Sequence, residues 1–417
     1  MQLKTNETNP TDRILSLDVV RGFALLGILL INILAFGAIS AMTLNPPLGF
    51  SLTSDIWIWG AVELTTEGAM RALFSMLFGA GVLLFLERGE DRGKLHFKRT
   101  FWLLIFGLIN GYVLMWLGDI LFTYALAGFI LYFLRNMSAK GLAILSVVLF
   151  ACLCAYSAAL NLGLEFLRSA ANQNAEAAAG WAEFYDVFAP SEAAKKAEIA
   201  QRTGSFLALM SWSAAEYTIM LLTFIPMLLV WDALVFMCIG MALYRYQVLQ
   251  GAHSDRFYLF IALAGFGVGL TINGYEIYLM IASDFDILET FPFFKPTYQL
   301  GRLGVALGWL GVLILAMRRF GIGRKLAAVG RMALTNYLMQ SLICLFIFSG
   351  IGFGLLGELR RTELYIVVLL IWAFQLWLSP WWLARFRYGP AEWLWRALTY
   401  GKAPPFSQGR TNQPKAT

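Results

Sequence analysis

The sequence predicts an all-α, polytopic membrane protein of about ten spanning helices. Three observations lead there. Apolar runs of spanning length recur along nearly the whole chain. Of the 417 residues 59% are hydrophobic and only 14% charged, where a soluble chain carries about 25% charged residues. The basic residues behind the net charge of +6 lie in short clusters between the apolar runs, as they do when they orient helices in a bilayer. That distribution argues against a nucleic-acid partner, despite the positive balance.

In chain order the expected spans are Ile14–Gly37, Met70–Leu86, Thr100–Leu117, Asp119–Leu134, Gly141–Leu162, Ile219–Tyr244, Phe257–Ala282, Leu300–Met317, Ala333–Leu355 and Leu364–Ala384. Each suits a hydrocarbon core of about 30 Å, allowing for tilt. Ile56–Leu64 is apolar but short; it reads as a re-entrant piece, an interfacial piece, or an extension of the second span. Phe23–Phe36 has the length of a signal-peptide core and AISA follows it. Arg21 and Asp18 stand too close to that core, however, and the chain beyond is itself embedded, so no cleavage is expected.

The basic clusters at Arg88–Arg99, Arg318–Arg331 and Arg385–Arg387 agree on one orientation, with both termini cytoplasmic. Arg360 and Arg361 dissent, flanked by Glu358 and Glu363. Residues 1–402 then form a single transmembrane domain. Its external loop, about 163–213, is rich in alanine and glutamate and predicts short surface helices. Residues 403–417 form a polar, proline-bearing cytoplasmic tail, expected to be disordered. There is no internal repeat of the kind that inverted-repeat transporters show.

Cys152, Cys154, Cys238 and Cys344 all lie in apolar runs without zinc spacing, and read as small buried hydrophobes. His96 and His253 are far apart and both are expected in charged loops. No metal site is expected.

The informative residues are therefore polar groups inside apolar runs, each costing about 2.5–3.5 kcal/mol at a helix centre unless paired or hydrated. In SLDVVRGFALLGILLINILAFG, at 100° per residue, Arg21 falls about 60° and Asn32 about 40° from Asp18 on the same side. All three share one stripe, with Asn32 about 21 Å further along. Asp18 and Arg21, three apart, read as a latch tying this helix to its neighbours or as functional polar groups.

In TTEGAMRALFSMLFGAG, Glu67, Arg71 and Ser75 fall on one helical face, as an i,i+4 pair or as site residues. Gly79 and Gly81 allow close helix packing. In LINGYVLMWLGDILFTYAL a tight turn leaves Asp119 as a helix cap or as a carboxylate at a cavity mouth near Asn110, Trp116 and Tyr124. In GRMALTNYLMQSL the amides of Asn336 and Gln340 share a face, for interhelical hydrogen bonds or for a ligand, with Arg331 at the rim. Asp232, Asn273, Glu276 and Arg302 are further intramembrane polar groups, and Arg302 has Asp119, Asp232 and Glu276 as alternative partners.

These blocks carry a resemblance. RILSLDVVRGFALLGILLINI, FSMLFGAG, WLGDILFTYAL, GRMALTNYLMQS and YGPAEWLWRALTYG resemble the YeiB family of bacterial inner-membrane proteins, a family long labelled a domain of unknown function. They run from Arg13 to Gly401. The LDxxRG block also resembles the N-terminal signature of a broader transmembrane acyltransferase superfamily, which includes heparan-alpha-glucosaminide N-acetyltransferase.

The resemblance implies an acyltransferase-like bundle in the bacterial inner (plasma) membrane. Such a bundle would move an acyl group from a cytoplasmic donor to an extracytoplasmic or lipid-like acceptor. It carries over Asp18, Arg21, Gly22, Asn32, Ser75, Gly79, Asp119, Tyr124, Arg331, Asn336, Tyr337 and Gln340. Gly389, Pro390, Glu392, Trp393 and Arg396 follow in the last block.

One departure matters. Related acyltransferases use a histidine base, and the YeiB-like pattern often has histidine where this chain has Asn110. A carboxylate, Asp119 or Glu67, would have to serve. The expected site is thus Asp119, Glu67 and Asn110 for chemistry. Asn32, Arg71, Ser75, Tyr124, Arg302, Asn336, Tyr337 and Gln340 are expected to bind substrate. Asp18, Arg21 and Arg331 are expected at the donor entrance, with acyl-CoA as donor and no tightly bound cofactor. The expected partners are the bilayer and a small-molecule or lipid substrate, with a homodimer left open. The alternatives are a transporter or flippase of an amphiphilic metabolite, or a non-catalytic lipid-binding scaffold.

Overall fold

The computed structural model describes residues 14–89 and 92–407. The described residues contain no β-strand, only an isolated bridge between Phe386 and Ser407. In chain order the helices are α1 Leu15–Gly37, α2 Thr53–Thr65, α3 Ala69–Leu86, α4 Gly93–Tyr112, α5 Leu121–Leu134 and α6 Ala139–Ala171. They continue as α7 Ala175–Phe188, α8 Glu192–Thr203, α9 Phe206–Leu222, α10 Val230–Arg245, α11 Asp255–Ala282 and α12 Ile287–Thr290. The last five are α13 Pro296–Phe320, α14 Arg324–Arg331, α15 Ala333–Phe348, α16 Arg361–Leu383 and α17 Pro390–Tyr400.

All ten apolar runs are helical, but they do not make ten equal spans. Among the described residues seven helical units are long and apolar enough to cross a membrane, and α14 with α15, bent by 80°, makes an eighth. The other two runs are α4 and α5. The first half of α4 is basic, and α5 has 14 residues, about 21 Å at 1.5 Å per residue, short of a hydrocarbon core. Ile56–Leu64 belongs to α2, which together with α3 forms one 34-residue unit.

The external-loop residues do form short helices. In addition α6 runs to Ala171, and α9 begins at Phe206, thirteen residues before the apolar run proper, so the loop is narrower than its composition suggested. Serine and asparagine side chains cap α6 through α9 and α11: Ser138, Asn174, Ser191, Ser205 and Ser254 each accept from a backbone N–H in the first turn.

α1 sits at the centre. One apolar core joins it to α5, α15 and α16, and a second to α3, α10 and α13. α6, α11 and α16 form the perimeter, with exposed apolar rows such as Ile144, Val147 and Val148, or Leu259, Phe260 and Leu263. Such rows suit lipid rather than water. Cys238 and Cys344 are buried as expected, whereas Cys152 is exposed on α6.

Glycines set the closest approaches. A Cβ on Gly22 would stand 2.0 Å from the Leu326 carbonyl oxygen, and one on Gly330 would stand 1.9 Å from that of Asp18. The start of α1 therefore packs backbone to backbone on α14. Gly79 and Gly240 do the same for α3 and α10, at 2.1 Å from Met237 O and 1.9 Å from Met76 O. Gly81 meets nothing within 4 Å, so it plays no part in helix packing.

The basic clusters gather at the end where α1 begins. There Arg99 stacks on Phe85 and Trp395, and Arg318 bonds Asp255 and the His253 carbonyl. Residues 403–407 pack back on this end: Phe406 meets Trp382, Phe386 and Trp393, and Trp393 donates to the Pro404 carbonyl at 2.8 Å. The rest of the expected tail, 408–417, lies outside the described residues.

Candidate functional site

Toward the opposite end of α1, a cavity of about 430 Å³ opens between α1, α3, α10, α15 and the α4–α5 connector, with α8 and α9 over it. Its wall is mostly apolar. The polar groups on it include Asn32, Glu67, Arg71, Asp119, Tyr124 and Asp232.

The connector, residues 113–120, carries Asp119. Asn110 Nδ2 donates to Asp119 Oδ1 at 2.8 Å, and the Phe122 N–H donates to Oδ2 at 2.8 Å. Asp119 thus caps the start of α5 and faces the cavity at once; both sequence readings hold. Among the described residues no cation pairs with it. Asn110 is fully buried, and its Oδ1 has no partner.

Tyr337 holds the connector from α15. Its hydroxyl accepts from Trp116 Nε1 at 3.0 Å and from the Ile120 N–H at 3.1 Å, and donates to the Gly118 carbonyl at 3.3 Å. Tyr337 positions the connector and is absent from the cavity wall.

A second polar group lies at the α2–α3 junction. Gly68, at φ +63°, breaks the chain into two helices, and a Cβ there would stand 2.4 Å from the Tyr298 hydroxyl. The break takes Glu67 out of the helix that carries Arg71, so the expected i,i+4 pair does not form. The Tyr298 hydroxyl joins them instead, donating to Glu67 Oε1 at 3.0 Å and accepting from Arg71 Nη2 at 3.4 Å. Arg71 Nε lies 3.6 Å from Asp232 Oδ2. Arg302, wholly buried, bonds Asp232 and Gln299 and stacks on Phe236 and Tyr298.

Of the three alternatives for Arg302 the partner is therefore Asp232. Arg302 supports the site from behind and does not line it. Ser75 and Tyr124 share a 2.6 Å hydrogen bond; Tyr124 lines the cavity, whereas Ser75, expected to bind substrate, does not.

Two expectations fall elsewhere. Asn336 bonds the Val329 carbonyl and Ser379, and Gln340 bonds Gln375, whose own amide donates to the Asn336 carbonyl at 2.9 Å. These amides form a ladder between α15 and α16 and do not reach the cavity. Asp18 and Arg21 pair at 3.0 Å beside α14, at the far end from Asn32. His96 is in the first turn of α4 rather than in a loop; it is buried, with Nε2 2.9 Å from the Gly128 carbonyl. Neither histidine lines the cavity.

The sequence reading missed Arg202. From α8 it bonds the carbonyls of Ala35, Phe36 and Ala38 at 2.9, 3.2 and 2.9 Å, and Glu198 at 2.9 Å. It thereby satisfies the open carbonyls at the end of α1 and fastens the loop helices over the cavity. Its one signal was a lone arginine four residues after a glutamate in an otherwise alanine-rich run. Tyr298 was also missed, because a tyrosine near a helix start reads as an interfacial aromatic.

Residues 243–402 match the family model described as protein of unknown function (DUF418). The protein YeiB of Escherichia coli (strain K12), itself uncharacterized, is 34% identical over 403 residues, covering 94% of this chain and 98% of that protein. The uncharacterized protein YxaH of Bacillus subtilis (strain 168) is 29% identical over 96% of this chain and 98% of its own length. No solved structure matches the chain. With a relative 34% identical and matched nearly end to end, the chain belongs to the YeiB family.

Proposed function

We propose that this chain is a membrane acyltransferase, or a close relative of one, acting on an amphiphilic or lipid-like acceptor held in the cavity. One observation carries the reading: Asp119 is a buried carboxylate on neutral donors, facing a largely apolar cavity, with no cation paired to it. A carboxylate so placed takes the proton of a hydroxyl or amine as that atom attacks an acyl carbonyl. The acceptor–carbon bond forms, the thioester bond breaks, and the thiol leaves with the proton. Acyl-CoA is the donor class. Arg21, Arg99 and Arg331 are the cations suited to its phosphates.

The basic clusters favour both termini in the cytoplasm of a bacterial plasma membrane. On that orientation the cavity lies toward the outside, and the thioester end of the donor has to reach through most of the depth of the bundle before it is cleaved. The test is purified protein with labelled acyl-CoA of several chain lengths, with Asp119→Asn alongside. Thiol release lost in the variant supports the reading; neither binding nor thiol release at any chain length overturns it.

A second reading, transport of an amphiphilic metabolite, is favoured by the buried Arg71–Asp232–Arg302 set, since such charges mark translocation paths. Flux of a candidate substrate in proteoliposomes without thioester cleavage would select it.

A further inference from the structure

A second, much smaller chamber of about 10 Å³ lies between α2, α11 and α13, lined by Glu63, Glu67, Asn273, Glu276 and Tyr298. It is the size of one water molecule. Glu276 is 5% exposed, and its Oε1 has no hydrogen-bond partner among the described residues. Asn273 turns its amide nitrogen away, donating to the Leu64 carbonyl at 3.0 Å. Three carboxylates thus converge on one water-sized space.

The cations around them are engaged. Lys295, at the head of α13, pairs with Glu289 of α12 at 3.3 Å. Arg71 of α3 pairs with Asp232 of α10. Arg361 of α16 donates to the Pro46 carbonyl at 3.3 Å and stacks on Phe50. Tyr298 donates to Glu67 at 3.0 Å. Among the described residues no Lys or Arg forms an ion pair with Glu63, Glu67 or Glu276; Lys295 and Arg361 act on Glu63 only at longer range, and three ionised carboxylates around one water repel one another strongly.

We propose that this chamber is a proton-binding site, with one proton shared through a single water among Glu63, Glu67 and Glu276. Glu67 lines both this chamber and the large cavity. Its hydrogen bond from Tyr298 leads to Arg71 and Asp232, which line the large cavity. Loading and unloading of the proton therefore changes the charge presented to whatever the large cavity holds. This stands beside the acyl-transfer reading and does not depend on it.

The test is infrared difference spectroscopy of the full chain in lipid nanodiscs, titrated from acid to alkaline pH in the Asp119→Asn background. That background keeps the connector carboxyl out of the spectrum. At neutral pH the carboxylic-acid stretch should include a component that shifts in deuterium oxide. Glu276→Gln, isosteric and neutral, should remove the equivalent of one acid group, with Glu63→Gln as the second variant. A band unchanged in Glu63→Gln, Glu67→Gln and Glu276→Gln alike overturns the proposal. So does a band that sodium abolishes and potassium does not, which would make the ligand a metal cation. Neither readout involves a thioester, so failure here is distinct from failure of acyl transfer.

Discussion

Asn110 and Asp119, nine residues apart, meet across the α4–α5 connector at 2.8 Å, and the geometry leaves the Asn110 carbonyl oxygen buried with no partner. An amide that spends its donor on a carboxylate holds that carboxylate in one rotamer. Asn110→Ala should leave the Phe122 N–H as the main support of Asp119. The expected cost is about 1–3 kcal/mol from the hydrogen bond lost and the space opened, read as a lower unfolding temperature in detergent. Asp119→Asn keeps the size and places an amide against the Phe122 N–H. If Asp119 acts as a base, turnover should fall by about 10²–10⁴-fold while substrate binding changes far less.

The Arg302–Asp232–Arg71 set makes a separate prediction. Arg302→Met leaves Asp232 buried with Arg71 alone, at 3.6 Å. Removing one partner of a buried pair costs about 3–5 kcal/mol, mostly from the stranded charge. Asp232→Asn in the same chain should recover part of that loss, because the stranded charge is then gone. A double-mutant cycle on thermal unfolding measures the recovery; strictly additive losses would mean the two groups do not act as a pair.

The glycines offer a matched pair two residues apart. Gly79→Ala would place a Cβ 2.1 Å from the Met237 carbonyl oxygen, against backbone that has no room to yield. Overpacking of this kind costs about 1–3 kcal/mol. Gly81→Ala meets open space and should be neutral or slightly stabilising, since alanine is the better helix former. Thermal shift of the two variants side by side decides it.

What the sequence made legible follows its physics. Hydropathy located ten helical runs, because an apolar run in lipid has to satisfy its backbone within itself, but it did not show that α4 and α5 fall short of spanning units. Composition also anticipated the surface helices. Pairing across helices was not legible. Glu67 and Arg71 have ideal spacing for a pair, yet Gly68 interrupts the helix between them, and each finds its partner more than a hundred residues away. Asn336 and Gln340 were correctly read as sharing a face, but periodicity does not say whether that face meets a cavity or another helix. Asp119 was legible as a carboxylate in a tight turn between two apolar runs, where a helix cap and a cavity carboxylate were both open, and it does cap α5 while lining the cavity.

Arg202 makes the last prediction, and it concerns the lid rather than the floor of the cavity. Its guanidinium holds the carbonyls of Ala35, Phe36 and Ala38 at the end of α1 while Glu198 balances its charge. It also stacks on Trp212 of α9, which lines the cavity. One side chain thus links α1, α8 and α9. Arg202→Ala strands three carbonyls at the end of α1 beside the large cavity, where water in the cavity can replace part of what is lost, so the bundle should stay folded. α8 loses its anchor, however. Limited proteolysis of reconstituted protein should cut between Ser191 and Ser205 in the variant well before the parent, with little change in the unfolding temperature of the spanning helices. Arg202→Lys, with one point charge in place of a planar fork, should fall between the two. Equal cleavage rates in all three chains would show that the apolar contacts of α8 and α9 hold the lid without Arg202.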